Sequence, residues 1–244
     1  MKLQIEDLGL SFGDHKIFSD LSFGVKEKEF VTILGPSGCG KSTILNILAG
    51  ILTDHSGKVL VDGEPVSGMS GHFAYMPQSD LLLEWRTILD NVSLYGQIHH
   101  DKSIKERAKA EFETFGLKGY ENAYPAALSG GMRQRAAFLR TSLCEADILL
   151  LDEPFGALDV ITRNDMQDWL LALRENYDRT TLLVTHDIDE ALYLSDRILV
   201  LSHKPSVILK EIDLSGVKKS REWLFSQSGL KQEIYELLRC ENHA

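Results

Sequence analysis

Short apolar runs that suit buried strands alternate with stretches whose apolar residues recur at helical spacing. Near the N-terminus Leu21, Phe23 and Val25 alternate with polar residues, and residues 30–34 form a nearly continuous apolar run. Similar runs recur at residues 58–61, 148–151, 181–185 and 197–201. Helical spacing follows Lys41 and appears again at residues 166–173. Strands that alternate with helices predict an α/β fold with a parallel sheet, here preceded by further strands near the N-terminus.

The middle of the chain has a different, mostly helical pattern. Between about Thr87 and Leu143, stripes of apolar residues at helical spacing replace the strand pattern. We expect a single domain whose α/β core comprises residues 1–84 and 145–215, with a helical subdomain inserted at residues 85–144. Residues 216–244 are expected to form a helical tail with one closing helix.

Charge and composition narrow the class of protein. The 244 residues include 26 Lys or Arg and 36 Asp or Glu, which gives a formal net charge of −10. A basic groove for nucleic acid is therefore not expected. No apolar run approaches the roughly 18 residues that span a bilayer, and the three scattered cysteines do not form a disulfide framework. These features predict a soluble protein of a reducing compartment.

A glycine-rich segment lies between the apolar run at residues 30–34 and the helical pattern that follows. It matches the phosphate-binding pattern G-x-x-x-x-G-K-[ST], in which backbone N–H groups and a helix N-terminus surround phosphate oxygens. Lys41 is predicted to reach the β- and γ-phosphates, and the Ser42 hydroxyl to bind Mg²⁺. The predicted nucleotide-binding residues of this segment are Gly35, Pro36, Ser37, Gly38, Cys39, Gly40, Lys41, Ser42 and Thr43.

Two acidic residues end the apolar run at residues 148–151. Asp152 and Glu153 are expected at the carboxyl end of a strand, where α/β sheets bind ligands. Asp152 is predicted to hold Mg²⁺ through water, because Mg²⁺ keeps much of its hydration shell. Glu153 is then the candidate general base, or the group that orients the water attacking the γ-phosphate.

A third motif, Leu-Ser-Gly-Gly, ends at Gly131 and precedes a helical pattern. Ser129 suits a helix N-cap, and Gly130 and Gly131 let phosphate approach the helix end, although this signal is weak by itself. Taken with the two preceding motifs, the segment resembles the signature of the ATP-binding-cassette (ABC) ATPases. The resemblance rests on six motifs in the family's order and covers essentially the whole chain. It implies a P-loop NTPase with a RecA-like core, an antiparallel β subdomain and a helical subdomain, and it implies ATP and Mg²⁺ as ligands.

The resemblance also implies roles for residues that have ordinary explanations. Phe12 would stack on adenine, although an aromatic residue at a strand end is also a common core residue. Gln78 would bind the metal or the attacking water, although it is also typical of a solvated loop. His186 would orient the water beside Glu153.

The resemblance also implies residue roles that require a second copy of the chain. In the family, the segment containing Ser129, Gly130 and Gly131 contacts the nucleotide of the partner subunit. The resemblance therefore implies a head-to-tail dimer that closes over two ATP molecules. Asp159 would face the partner subunit, and its ordinary explanation is an acidic residue at a helix start.

The resemblance implies that ATP hydrolysis drives a conformational change in a membrane permease. Residues 81–92 are the candidate segment for docking on that permease. From Leu81 to Val92 this segment is rich in apolar residues, which are typical either of a docking groove or of the helical subdomain's core. Its second half, Trp85 to Val92, resembles a stretch of nitrate, sulfonate and taurine importer ATPases. The sequence before Gln78 is instead similar to that of importers of pyrimidine-type thiamin precursors.

These resemblances favour the ATPase subunit of a bacterial uptake transporter, bound peripherally to the cytoplasmic face of the membrane. A solute-binding protein would act on it indirectly, through the permease. An exporter ATPase and a non-transport ABC ATPase remain alternatives, and the solute stays open. A P-loop kinase or GTPase does not explain the motif that ends at Gly131.

Overall fold

The computed structural model describes residues 1–174 and 178–240, which form two β-sheets flanked by helices. The strands are β1 (Leu3–Phe12), β2 (His15–Val25), β3 (Phe30–Leu34), β4 (Ser56–Val61), β5 (Glu64–Pro65), β6 (Phe73–Met76), β7 (Ile148–Asp152), β8 (Thr180–Thr185), β9 (Arg197–Leu201) and β10 (Ile208–Asp213). The helices are α1 (Lys41–Leu48), α2 (Ile88–Val92), α3 (Leu94–Ile98), α4 (Ile104–Glu111), α5 (Gly130–Ser142), α6 (Val160–Arg174), α7 (Ile188–Leu194), α8 (Arg221–Ser226) and α9 (Ser228–Cys240).

The six-stranded sheet has the order β10-β9-β3-β8-β7-β6 and is parallel except for the edge strand β10. Every residue of β3, β7 and β8 is buried, as expected of parallel strands that are covered on both faces. The two faces alternate along each strand. In β3, Val31 and Ile33 belong to the apolar cluster that contains residues of α1, whereas Phe30 and Leu34 belong to the cluster that contains residues of α2 and of α4 to α9.

Strand register brings four separate segments to one edge of this sheet. Leu34 pairs with Thr185, Val184 pairs with Asp152, and Met76 pairs with Leu151. The residues that follow β3, β6, β7 and β8 are therefore neighbours, although they are widely separated in sequence.

A four-stranded antiparallel sheet, ordered β2-β1-β4-β5, covers the face that carries α1. Its inward side chains alternate along β1, where Leu3, Ile5, Leu8 and Leu10 are buried. Helices α2 to α5 occupy the chain between β6 and β7. This arrangement confirms the predicted α/β class with an antiparallel β portion and inserted helices.

The structure differs from the sequence-based expectation in two places. The expected closing helix is α9, and the described part of the tail also contains the short helix α8, which was not predicted. The short strands β5, β6 and β10 were not predicted, because two to six residues carry little local signal and these strands are stabilised by pairing with a neighbour. Within the described part of the chain, no helix is both long enough and apolar enough to cross a membrane.

Candidate functional site

The glycine-rich loop curls around the ammonium group of Lys41. Gly38 and Gly40 have φ angles of 79° and 111°, in the left-handed region that favours glycine. A Cβ on Gly40 would also lie 2.8 Å from Ile17 Cγ2, so both the backbone angle and the packing require glycine there. Lys41 is buried, and its Nζ donates to the carbonyl oxygens of Gly35 at 2.8 Å and Pro36 at 2.9 Å. The loop thus holds a cation at the N-terminus of α1, an arrangement that suits a phosphate ligand.

The carboxylate of Asp152 meets a hydroxyl group from each of two other segments. Its Oδ1 accepts a hydrogen bond from Ser42 Oγ at 2.8 Å, and its Oδ2 accepts one from Tyr75 Oη at 3.0 Å. Asp152 is only 4% exposed, and this burial raises the pKa of its carboxyl group. A buried carboxylate next to a hydroxyl oxygen is a suitable donor set for Mg²⁺, and a cation there would offset the cost of burying the charge. The residues present therefore fit the predicted metal.

Glu153 follows β7 in a strained conformation. Its φ of 43° lies in the left-handed region, a geometry that costs on the order of 1–3 kcal/mol for a residue other than glycine. The Glu153 N–H donates to Val184 O at 2.9 Å, which holds the turn against β8. Its Oε2 lies 3.1 Å from Nδ1 of His186, which follows β8. The turn thus directs a carboxylate toward an exposed imidazole, a pair that can accept and orient the protons of a water molecule.

Gln78 lies at the same edge of the sheet, beside Gly156. A Cβ built on Gly156 would lie 3.5 Å from Gln78 Nε2 and 3.7 Å from Glu153 Oε2. The amide of Gln78 and the carboxylate of Glu153 therefore face one small space. The structure brings together the predicted residues Lys41, Ser42, Gln78, Asp152, Glu153 and His186.

The signature segment lies against the start of α6. Ser129 caps α5 by accepting a hydrogen bond from Met132 N at 3.3 Å. A Cβ on Gly130 would lie 3.4 Å from Leu158 Cδ2, and one on Gly131 would lie 2.8 Å from Thr162 Cγ2. These glycines permit α5 to approach both the loop before α6 and the first turn of α6 closely.

Asp159 also has a local role within one chain. Its Oδ1 accepts from the N–H groups of Ile161 and Thr162, both at 3.1 Å, and its Oδ2 accepts from Thr162 Oγ1 at 2.6 Å. These bonds are those of a helix N-cap and lower the pKa of the Asp159 carboxyl group. The ordinary explanation of this residue as a helix-start acid is therefore sufficient within a single chain.

Two predicted nucleotide-binding residues differ sharply in exposure. Phe12, at the end of β1, is 53% exposed, so its ring is available to stack on a planar ligand and is not a core residue. Cys39 is buried within the glycine-rich loop, and this burial raises the pKa of its thiol. A buried thiol of this kind packs and is not a reactive nucleophile.

Residues 81–92 divide into an exposed part and a buried part. Leu81 and Trp85 are 61% and 74% exposed. The other large apolar residues of this segment lie in the core of the helical portion or at its edge: Leu82, Leu83, Ile88, Leu89 and Val92. The core explanation therefore applies to the buried residues, whereas the side chains of Leu81 and Trp85 are accessible to solvent.

Two residues that shape these sites were not selected from the sequence. Tyr75 holds Asp152, as described above. Asn91 is fully buried, and its side-chain amide bonds the backbone of Leu83, Arg86 and Thr87, which fixes the loop that displays Trp85. The only sequence signal was their place in motifs, since their roles depend on contacts with other segments of the chain.

The fold and the site define a P-loop nucleotide hydrolase. The family model described as ABC transporter matches residues 18–156, more than half of the chain, and the chain belongs to this family. Membership of this family confirms three predictions made from the sequence: ATP binding, ATPase activity and the use of ATP with Mg²⁺.

Similar proteins of known name agree with the family. The chain is 43% identical to the formylaminopyrimidine import ATP-binding protein ThiZ of Halalkalibacterium halodurans, over 97% of this chain and 96% of that protein. It is 42% identical to the aliphatic sulfonates import ATP-binding protein SsuB of Bacillus cereus, over 82% of this chain and 80% of that protein. Among solved structures, it resembles a dimeric, post-hydrolysis form of the ATP-binding cassette MJ0796 bound to ADP and Pi. That match has a TM-score of 0.73 and 28% identity, and it covers 88% of this chain and 99% of the cassette.

Proposed function

We propose that this chain is the ATP-hydrolysing subunit of a bacterial ABC importer that moves a small organic solute through a separate membrane permease. Similarity along almost the whole chain to a protein named for formylaminopyrimidine import, and to others named for aliphatic sulfonate import, supports this direction of transport. The observation that carries the proposal is the meeting of Lys41, Glu153 and His186 at one edge of the parallel sheet.

In the proposed reaction, the glycine-rich loop and Lys41 bind the β- and γ-phosphates of ATP, and Phe12 stacks on the adenine. Glu153 accepts a proton from the attacking water, which His186 and Gln78 orient toward the γ-phosphate. Ser42, Gln78 and Asp152 would hold Mg²⁺, which when bound would neutralise charge on the phosphate oxygens.

The working form is a head-to-tail dimer. Ser129, Gly130 and Gly131 of one copy contact the γ-phosphate held by the other copy, and Asp159 lies near that interface. The close packing of Gly131 against Thr162 supports this arrangement, because it places the signature segment beside the loop of Asp159. ADP lacks the γ-phosphate, so its formation removes the charge-assisted bonds that favour closure.

The permease docks on the exposed part of residues 81–92. Leu81 and Trp85 supply an apolar contact, and Asn91 holds the loop in shape without touching the partner. The subunit is peripheral on the cytoplasmic face of the membrane, and a solute-binding protein stimulates it through the permease.

The decisive test is Glu153→Gln, which keeps the side-chain shape and removes the proton acceptor. ATP hydrolysis should fall at least 100-fold, whereas ATP binding persists and the variant elutes as a dimer in size-exclusion chromatography with ATP and Mg²⁺. In proteoliposomes with the permease, solute uptake should stop. Uptake that continues with this variant in both subunits, or a monomer at saturating ATP, contradicts the proposed mechanism.

A further inference from the structure

A buried carboxylate lies behind the segment that carries His186. Glu190, in the first turn of α7, is only 3% exposed and accepts a hydrogen bond from Thr185 Oγ1 at 2.6 Å. The same hydroxyl accepts a bond from the N–H of Asp187 at 3.0 Å. One hydroxyl therefore ties the residues on both sides of His186 to Glu190.

The cluster continues from α7 to the loop before α6. Asp187 Oδ2 lies 3.5 Å from Arg163 Nη1, and Arg163 Nη2 donates to Leu158 O at 3.1 Å. Arg163 and Glu190 border the same small cavity, about 10 Å³ in volume, which Glu153 also borders. The cluster thus lies between the Leu158–Asp159 loop and the candidate catalytic carboxylate.

The charges around Glu190 oppose one another. Burial raises the pKa of Glu190, the hydrogen bond from Thr185 lowers it and the charge of Asp187 raises it, with a net pKa of about 7. The positive charge of Arg163 and the ring of His186 also favour the ionised carboxylate. An ionised carboxylate accepts a hydrogen bond more strongly than a neutral acid does, so the hold on Thr185 depends on this balance.

We propose that Glu190 is a positioning residue for ATP hydrolysis, which acts through the Thr185 hydroxyl to hold His186 against Glu153. This inference depends on the proposed function, because it takes the pair of Glu153 and His186 as catalytic. Without the link, the backbone on both sides of His186 loses a shared anchor. Misplacing a reacting group by about 1 Å can cost on the order of 100-fold in rate, so a partial loss of the anchor is expected to cost about tenfold.

Two variants of Thr185 separate this role from a merely structural one. Thr185→Val removes the hydroxyl and keeps the branched shape, whereas Thr185→Ser keeps the hydroxyl and is the matched control. The kcat for ATP hydrolysis should fall about tenfold in Thr185→Val, with the KM for ATP unchanged within about twofold, and should stay near the wild-type value in Thr185→Ser. Equal kcat values in the two variants overturn the proposal, provided that circular dichroism and thermal melting show both to be folded.

The pH profile supplies a second measurement. Wild-type kcat should decline as pH falls through about 7, because protonation of Glu190 weakens its bond with Thr185. Glu190→Gln keeps an acceptor oxygen without the titrating charge, so it should lose part of this acidic decline. An unchanged profile in Glu190→Gln contradicts the inference, and a flattened one supports it.

Glu153→Gln, assayed in parallel, distinguishes a failure of the proposed function from a failure of the proposed role of Glu190. An active Glu153→Gln variant overturns the proposed catalytic site and, with it, the positioning role. If Glu153→Gln is inactive while Thr185→Val and Glu190→Gln behave as wild type, the proposed function stands and only the role of Glu190 is wrong.

Discussion

Replacing Tyr75 with phenylalanine tests whether the hydroxyl pair on Asp152 prepares the metal site. The substitution removes one atom, the Oη that donates to Asp152 Oδ2 at 3.0 Å, and leaves the aromatic ring. The bond from Ser42 to Oδ1, at 2.8 Å, is kept in the absence of metal. If Ser42 were a ligand of Mg²⁺, the Tyr75 hydroxyl would remain as the donor that holds the Asp152 carboxylate in place.

A hydrogen bond to a charged group contributes about 1.5–3 kcal/mol, and part of this is recovered when the metal neutralises Asp152. We therefore expect the Mg²⁺ concentration for half-maximal ATPase activity to rise about tenfold, which corresponds to about 1.4 kcal/mol. Burial already raises the pKa of Asp152, and the tyrosine bond counteracts this effect. Its loss raises the pKa of Asp152 further, so protons compete better with Mg²⁺ and the deficit should be larger at lower pH.

The assay is steady-state ATP hydrolysis at fixed ATP with Mg²⁺ varied, measured at two pH values. Tyr235→Phe is the matched control, because Tyr235 is exposed on α9, away from the metal site. At saturating Mg²⁺, the kcat of Tyr75→Phe should stay within about twofold of wild type, since the hydroxyl is not a reacting group. If half-saturation by Mg²⁺ is the same in Tyr75→Phe, Tyr235→Phe and wild type, the reasoning about Asp152 is refuted.

Three further predictions address docking, buried charge and close packing. Trp85→Ala should leave basal ATPase activity and the melting temperature nearly unchanged but abolish co-purification with the permease, and stable docking by this variant contradicts the docking prediction. Ile88→Ala, by contrast, alters the core and should cost about 2–5 kcal/mol of unfolding free energy. Between pH 4.5 and about 7, native Glu190 binds more protons than the unfolded chain, so wild-type stability falls as pH rises through this window. Glu190→Gln has no titrating group at this position, so its unfolding free energy, measured with urea, should rise relative to that of wild type by up to about 3 kcal/mol between pH 5 and 8. A difference in unfolding free energy that does not change with pH contradicts this prediction. Gly131→Ala should destabilise the chain by about 1 kcal/mol, because the added Cβ meets Thr162 Cγ2. Adding Thr162→Ser, which removes that methyl group, should restore the melting temperature. If the double variant melts no higher than Gly131→Ala, this explanation is rejected.

The glycine-rich loop shows how far local sequence can determine a site. Only glycine adopts the φ angles at positions 38 and 40 without strain, and an apolar strand followed by a helix leaves few ways to arrange them. The same is true of Ser129, whose N-cap role follows from its place before a helical pattern. A site of this kind lies within one loop and the helix that follows it, so it can be predicted from the sequence alone.

Other residues acquired a role only through contacts across the sheet. Tyr75 touches Asp152 because β6 pairs with β7, and β6 is too short to be predicted from its own residues. Arg163 and Glu190 resemble surface charges on amphipathic helices, yet packing of α6 against α7 buries the carboxylate and joins both to the segment around His186.

The amino-acid sequence by itself determined the phosphate loop, the acidic strand end and the α/β class, because each depends on backbone conformation or periodicity within a few adjacent residues. It left undecided which residues of 81–92 face solvent, how Asp152 and Glu153 are supported, and where the tail helices end. Tertiary structure decided these points, since burial and the pKa of a buried carboxyl group depend on neighbours that strand order and helix packing bring from distant parts of the chain.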